Sequence, residues 1–267
     1  MVRETRRRGG VVIEPRYQSD RVTLYCADAL QVMELLPDRS IQMVFSDPPY
    51  GHNNNNNGDL IHRREAALGV GKVGEARPIA NDGVEATELF EAMLSEARRV
   101  LDKGCCCCCC GGGGGPDPMF ARWSMLIDKA LDFVQMVVWD KGPMGMGWRY
   151  RRSYETVLVG CKPGKPMRWY DETDRIENII RHITKVIPQA DEHPTQKPVE
   201  LAAHFIALHS QPGDVILDPF AGSGSTGVAA VRMGRRFIGV EIDEHWYSVA
   251  ERRIRDAEAQ LLLPGVT

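Results

Sequence analysis

The sequence predicts an α/β fold: a mostly parallel, doubly wound sheet with helices on both faces. Three observations lead to it. Short apolar runs alternate along the chain with stretches of helical spacing, the pattern of successive βα units. One run leads straight into a glycine-rich turn and a helix, at Leu217 to Gly227 (LDPFAGSGSTG). Another ends in Asp47-Pro48-Pro49-Tyr50, and in open sheets ligands bind beyond the carboxyl ends of strands.

Taken in order, Val22 to Cys26 (VTLYC) reads as a strand and Ala29 to Leu36 as a helix. Ile41 to Phe45 is the next strand, and two consecutive prolines end it, because they can neither donate to a ladder nor enter a helix interior. Residues 51–86 are polar, rich in Gly and Asn, and read as a long flexible loop. Leu89, Phe90, Met93, Leu94, Ala97, Val100 and Leu101 recur at helical spacing and predict a helix from Thr87 to Leu101. Lys103-Gly104 stops it, and Cys105 to Cys110 follow as a strand. Gly111 to Gly115 form a second flexible loop. A helix from Met119 to Leu131, a strand from Phe133 to Trp139 and a strand from Tyr154 to Val159 come next. Residues 161–190 are irregular. The remainder reads as a helix from Pro198 to Ala207, a strand from Val215 to Leu217, a helix from Ser225 to Arg232, a strand from Phe237 to Val240 and a helix from His245 to Leu261. There are no internal repeats.

The 267 residues are 43% hydrophobic and 26% charged, so a sizeable core can form. The net charge of -3 places any nucleic-acid contact on a local basic face. No apolar run reaches the ~18 residues of a membrane span, so no membrane partner is expected. The basic start, MVRETRRRGG, is followed by no apolar segment and does not read as a secretory signal. Six of the 8 cysteines stand in one run. Neighbours in a strand point to opposite faces and pair poorly as disulfides, and metal sites draw spaced pairs from two places. The run therefore reads as a buried strand of small apolar side chains in a reducing cytoplasm, with no metal.

The glycine turn lets the backbone approach a ligand, and the helix start supplies free N–H groups. Glu241 closes the following strand, where an acid can bind ribose hydroxyls. Taken alone, this part fits a nicotinamide dinucleotide as well as S-adenosylmethionine. The Asp47 turn suits an exocyclic amine. Asp47 and the Pro48 carbonyl can accept hydrogen bonds from it, and Tyr50 offers a stacking face for a flipped base. In His193 to Leu201 (HPTQKPVEL), Pro198 can start a helix, Lys197 can approach the carboxylate of an amino-acid cofactor, and His193 reads as structural.

DPPY, HPTQKP and DPFAGSGST, in that order, resemble the DNA amino-methyltransferases of the permuted beta class, as does the opening VTLYCADALQVMELLPDRSIQMVFSDPPYG. The resemblance spans roughly residues 20–255. It implies a circularly permuted Rossmann-like methyltransferase fold, with a basic arm over 1–19 and a single domain over 20–267. It implies S-adenosylmethionine bound by Asp28, Asp47, Lys197, Asp218, Phe220, Ala221, Gly222, Ser223, Gly224, Ser225, Thr226 and Glu241. It implies a catalytic motif of Asp47, Pro48, Pro49 and Tyr50. In that family DPPY goes mainly with adenine N6 and SPPY with cytosine N4, so adenine is expected and cytosine is the alternative; a silent DNA-binding regulator is a remoter one. The partner implied is double-stranded DNA, with a homodimer and a cognate restriction endonuclease as further expectations. The target-recognition segment would lie near residues 160–190. Residues 141–170 hold seven basic residues against the single acid Glu155. With Trp148, Tyr150, Trp169 and Tyr170 interleaved, that stretch is the expected DNA face, through Arg149, Arg151, Arg152, Lys162, Lys165 and Arg168. His62, Arg63 and Arg64 in the long loop are a second candidate.

Overall fold

The computed structural model describes residues 13–50, 85–111, 119–142, 153–173, 175–186 and 196–261. Their elements are β1 (Tyr17–Gln18), β2 (Val22–Cys26), α1 (Ala29–Leu35), β3 (Ile41–Ser46), α2 (Ala86–Val100), β4 (Leu101–Cys110), α3 (Met119–Ala130), β5 (Asp132–Asp140), β6 (Tyr154–Cys161), β7 (Ile179–Ile180), α4 (Val199–His209), β8 (Val215–Asp218), α5 (Ser225–Arg232), β9 (Arg236–Glu241) and α6 (Glu244–Leu261). The strands form one sheet in the order β1-β2-β9-β8-β3-β4-β6-β5-β7. From β2 across to β4 every neighbouring pair is parallel. β6 runs against both β4 and β5, and the short β1 runs against β2. Every other strand therefore has its carboxyl end on the same edge.

Each face of the sheet carries its own core. On one side α1, α2 and α3 pack Met33, Phe90, Leu94 and Trp123 against Ile41, Val44 and Leu217. On the other, α4, α5 and α6 pack Phe205, Val228 and Ile254 against Met43, Phe45 and Ile216. Trp123 stacks on Phe90 at 4.0 Å between ring centres, worth about 0.5–1.5 kcal/mol beyond the area it buries. Arg99 of α2 fastens α1 by donating to the carbonyls of Met33 and Leu36 at 2.6 and 2.7 Å.

The cysteine run is the carboxyl-terminal part of β4. The period of two along a strand sends Cys106, Cys108 and Cys110 into one core and Cys105, Cys107 and Cys109 into the other. A strand between two helical layers needs apolar groups on both faces, and the small thiols supply them. The strand is longer than its sequence suggests: Leu101 to Gly104, expected to end a helix and stop it, already belong to the ladder. β1 has no counterpart in the sequence reading.

The glycines of the strand–turn–helix unit are needed for close packing. Gly224 sits at φ 81°, and a Cβ there would lie 3.0 Å from the Cα and Cβ of Ala250 on α6. Gly224→Ala is expected to lose about 1–3 kcal/mol of stability, from the left-handed backbone and the overpacked contact together; urea denaturation measures it. A water-soluble thiol reagent should meet only the half-buried Cys26 in the native protein and all 8 thiols after denaturation. Rapid reaction of several thiols in the native state would contradict the buried run.

Candidate active site

The two motifs meet because their strands are neighbours. β3 and β8 pair in parallel, with Val44 opposite Leu217. Ser46, fully buried, donates from its hydroxyl to Asp218 Oδ1 at 3.2 Å. Asp218 also accepts from Thr226 Oγ1 at 2.6 Å and from the Phe220 amide at 3.0 Å. Burial pushes its carboxyl up to about 7, against the pull of those donors. Asp218 thus ties the glycine turn shut from within and anchors it to the base of the Asp47 turn.

At the far side of that turn, Gly222 donates its amide to Glu241 Oε2 and Asp243 donates to Oε1, each at 2.8 Å. Burial raises the Glu241 carboxyl, while the amides of Asp243 and Gly222 act the other way. Asp28, at the end of the adjacent β2, caps α1 by accepting from the Gln31 amide at 3.0 Å. Ile242, between Glu241 and Asp243, is an exposed apolar side chain, 48% accessible. Ser223 donates to Gln196 Oε1 at 3.1 Å, and Arg253 of α6 donates to the Ser223 carbonyl at 2.5 Å. Ala221 is held by its N–H, which donates to the Val240 carbonyl at 2.9 Å. Ser225 opens α5 within 3.5 Å of Arg253 Nη1.

Asp47 is the hub of a charged group. Its Oδ2 meets Lys197 Nζ at 2.5 Å, and its Oδ1 accepts from the Tyr50 hydroxyl. Lys197 Nζ also lies 3.4 Å from Glu155 Oε2, and Glu155 Oε1 is paired with Lys141 Nζ at 2.8 Å. None of the four charged side chains is more than 24% exposed. Burial raises the Asp47 carboxyl, opposed by Lys197 and Tyr50. Burial also works to raise Glu155, yet Lys197 and Lys141 outweigh it and hold Glu155 at about 2. Lys197 is raised above an ordinary lysine: its burial disfavours the charge, but the two carboxylates prevail. Pro48, buried, and Pro49 follow without backbone N–H groups. The Tyr50 ring lies 5.6 Å from Trp123 and 5.7 Å from Lys197 Nζ.

The structure therefore brings Asp28, Asp47, Pro48, Pro49, Tyr50, Lys197, the turn from Asp218 to Thr226 and Glu241 to one edge of the sheet. It pairs the Lys197 ammonium, expected to approach a cofactor's carboxylate, with Asp47 and Glu155. It also moves three expected DNA contacts. Lys162, Lys165 and Arg168 follow β6, which runs against its neighbours, so they sit beside Gly104 at the opposite edge. Lys162 Nζ donates to the Leu101 carbonyl at 2.6 Å, and Arg168 is shared between Asp102 and Asp214. Lys162 and Arg168 are engaged within the fold there, and Lys165 is exposed. His62, Arg63, Arg64, Arg149, Arg151, Arg152, Trp148, Tyr150 and His193 lie outside the described residues. Glu155, Lys141 and Arg253 carried no sequence signal for the site, apart from the excess of basic residues around Glu155; Gln196 lies in the HPTQKP motif but is not singled out by it.

Comparison with known proteins shows the family and the fold. Residues 41–252 match the model of a family described as DNA methylase, of the N6/N4 methyltransferase type. The chain is 29% identical over 261 residues to the type II methyltransferase M2.DpnII of Streptococcus pneumoniae, covering 92% of this chain and 94% of the relative. It is 28% identical to M2.LlaDCHI of Lactococcus lactis subsp. cremoris, with the same coverage. Among solved structures, TTHA0409 of Thermus thermophilus, complexed with S-adenosyl-L-methionine, is 25% identical and superposes with a TM-score of 0.64 over 92% of this chain and 97% of that one. The cytosine-N4-specific PvuII DNA methyltransferase shares the fold at 19% identity and a TM-score of 0.68, over 94% and 95% of the two chains.

Removing the ammonium would leave the Asp47 carboxylate without its cation and Glu155 with Lys141 alone. Lys197→Met is expected to cost about 3–5 kcal/mol, measured by chemical denaturation at neutral pH. A loss below about 1 kcal/mol, the range of a solvated surface pair, would contradict the charge group described.

Proposed function

Because the chain belongs to the N6/N4 DNA methylase family, we propose that it transfers a methyl group from S-adenosylmethionine to the N6 of adenine in double-stranded DNA. The observation that carries the choice of adenine is the placement of Ser46 and Asp47. Ser46 is buried inside β3 with its hydroxyl on Asp218, so the residue presented ahead of Pro48 is the carboxylate of Asp47, 24% exposed. Asp47 thus stands first in the four-residue turn, where the resemblance associates aspartate with adenine and serine with cytosine.

The edge of the sheet fits the cofactor. Glu241 offers carboxylate oxygens for ribose hydroxyls, and Asp28, Phe220 and the exposed Ile242 suit a purine ring. The turn from Asp218 through Ala221, Gly222, Ser223, Gly224, Ser225 and Thr226 would face the amino-acid part. Bound there, S-adenosylmethionine supplies an activated methyl group on a sulfonium. Asp47 and the Pro48 carbonyl would accept the two N–H bonds of the target amine, favouring a pyramidal nitrogen with its lone pair directed outward. Tyr50 would give up its bond to Asp47 and stack on the flipped base. The task of these residues is to hold the reacting atoms in line at about 3 Å. The amine proton can leave after transfer, so Asp47 orients and need not act as a strong base.

DNA contacts are proposed for Arg149, Arg151 and Arg152 and for His62, Arg63 and Arg64. The flanking residues Lys141 and Ser153, joined by a 2.7 Å backbone bond, and Tyr50 all lie at the site's edge of the sheet. The arm over 1–19, the single domain over 20–267, the recognition segment near 160–190, a homodimer and a cognate restriction endonuclease belong to the same reading.

The test uses purified protein, duplex DNA and S-adenosylmethionine labelled in the methyl group. Label is expected in N6-methyladenine after digestion to nucleosides. Asp47→Ala is expected to lose about 100-fold or more in rate while calorimetry finds its affinity for S-adenosylmethionine within a few-fold of wild type. N4-methylcytosine as the product would overturn the adenine reading. Near-normal turnover by the variant would overturn the role of Asp47.

A further inference from the structure

We propose that Glu155 is a positioning residue: it shares the Lys197 ammonium with Asp47 and so keeps that ammonium from closing off the carboxylate that must receive the target amine. The inference rests on the reading that Asp47 accepts the exocyclic N–H.

Glu155 stands near the start of β6, opposite Trp139 of β5 and one residue before Thr156, whose carbonyl takes the Gly111 amide at 2.8 Å. That register places it at the carboxyl edge of β4 and β5, beside the Asp47 turn. Its two oxygens have different roles. Oε1 is held by Lys141 Nζ at 2.8 Å. Oε2 is buried, makes no hydrogen bond among the described residues, and has Lys197 Nζ as its cation at 3.4 Å. A buried carboxylate oxygen without a hydrogen bond is costly, and this one is aimed at the ammonium that touches Asp47. The result is a row of alternating charge, Lys141–Glu155–Lys197–Asp47, two positive and two negative, with the lysine between the carboxylates drawn to both.

Other groups face the same space. Around Asp47 stand Tyr50 from its own turn, Cys110 from β4, Asp218 from β8, Glu155 from β6 and Lys197. Around Glu155 stand Lys141, Lys197 and, from the segment after β7, Lys185. Without the Glu155 charge, Asp47 is the one carboxylate left beside Lys197 among the described residues. It then neutralises Asp47 more completely, and Asp47 binds a proton less readily and accepts the amine less well. Without Lys141, Glu155 pulls harder on Lys197, and Asp47 binds a proton more readily. Substitutions at the two positions therefore act on Asp47 with opposite sign, although neither side chain touches it.

The experiment is the pH dependence of the single-turnover rate of DNA methylation, at saturating DNA and S-adenosylmethionine. It compares wild type, Glu155→Gln, Glu155→Asp and Lys141→Met, each checked for folding by thermal melting. The acid limb, where activity falls as Asp47 takes a proton, is expected to move to lower pH in Glu155→Gln by roughly half a unit or more. It should move to higher pH in Lys141→Met and stay near wild type in Glu155→Asp, which restores the charge. If Glu155→Gln does not fold, the shifts of Lys141→Met and Glu155→Asp carry the same comparison. Limbs that coincide in all folded variants, with rates lowered evenly across pH, would overturn the inference and leave the methylation reading intact. A wild type that transfers no methyl to DNA would instead overturn that reading, and the inference with it.

Discussion

An ammonium between two carboxylates, at the carboxyl edge of the sheet, is the interaction on which the rest of the site depends. Lys197 is 12% exposed, Asp47 24% and Glu155 20%. Burying one carboxylate in such a place is costly and burying two is worse, unless a cation is placed with them. The three residues come from the turn after β3, the start of β6 and the approach to α4, which are far apart in the chain. Pairing them commits those segments to one geometry. Fixing that geometry does not require a stability gain over apolar side chains.

The parallel part of the sheet does the rest. Because β3 lies between β8 and β4, the carboxylate turn and the glycine turn open side by side, with the Ser46–Asp218 bond between them. The turn with Asp47 comes first in the chain and the glycine turn last, and the fold is the circularly permuted, Rossmann-like methyltransferase fold. The order of the motifs along the chain matters little once the strands are neighbours. The cysteine run lies inside the sheet, where burial pushes the Cys108 and Cys110 thiols upward.

Most of the elements were legible in the sequence because each carries a plain periodicity. The runs at Val22 to Cys26 and Val215 to Leu217 end in turns that could hardly be anything else. The residues of the two motifs were legible too, since glycine, proline and aspartate there have few structural alternatives. What the sequence hid was direction. Residues 141–170 read as one basic face, but β6, eight residues long at about 3.3 Å each, carries the chain roughly 25 Å back across the sheet. Lys141 and Glu155 are left at the site, and Lys162, Lys165 and Arg168 go to the opposite edge. Nothing in the local pattern distinguishes an antiparallel return from a parallel strand. The same blindness hid Glu155, which reads as a stray acid in a basic stretch until β6 is set beside β4. It also hid the pairing of Lys197 with Asp47 and Glu155, which depends on which anions the fold brings close.

A double-mutant cycle of Asp47→Asn and Lys197→Met, read as unfolding free energy at neutral pH, tests the central claim most directly. If the pair is the buried constraint described here, the two losses should be strongly non-additive, with a coupling of about 1.5–3 kcal/mol. Losses that add to within about 0.5 kcal/mol would mean that the two side chains act independently, and the account of the site would be wrong at its centre.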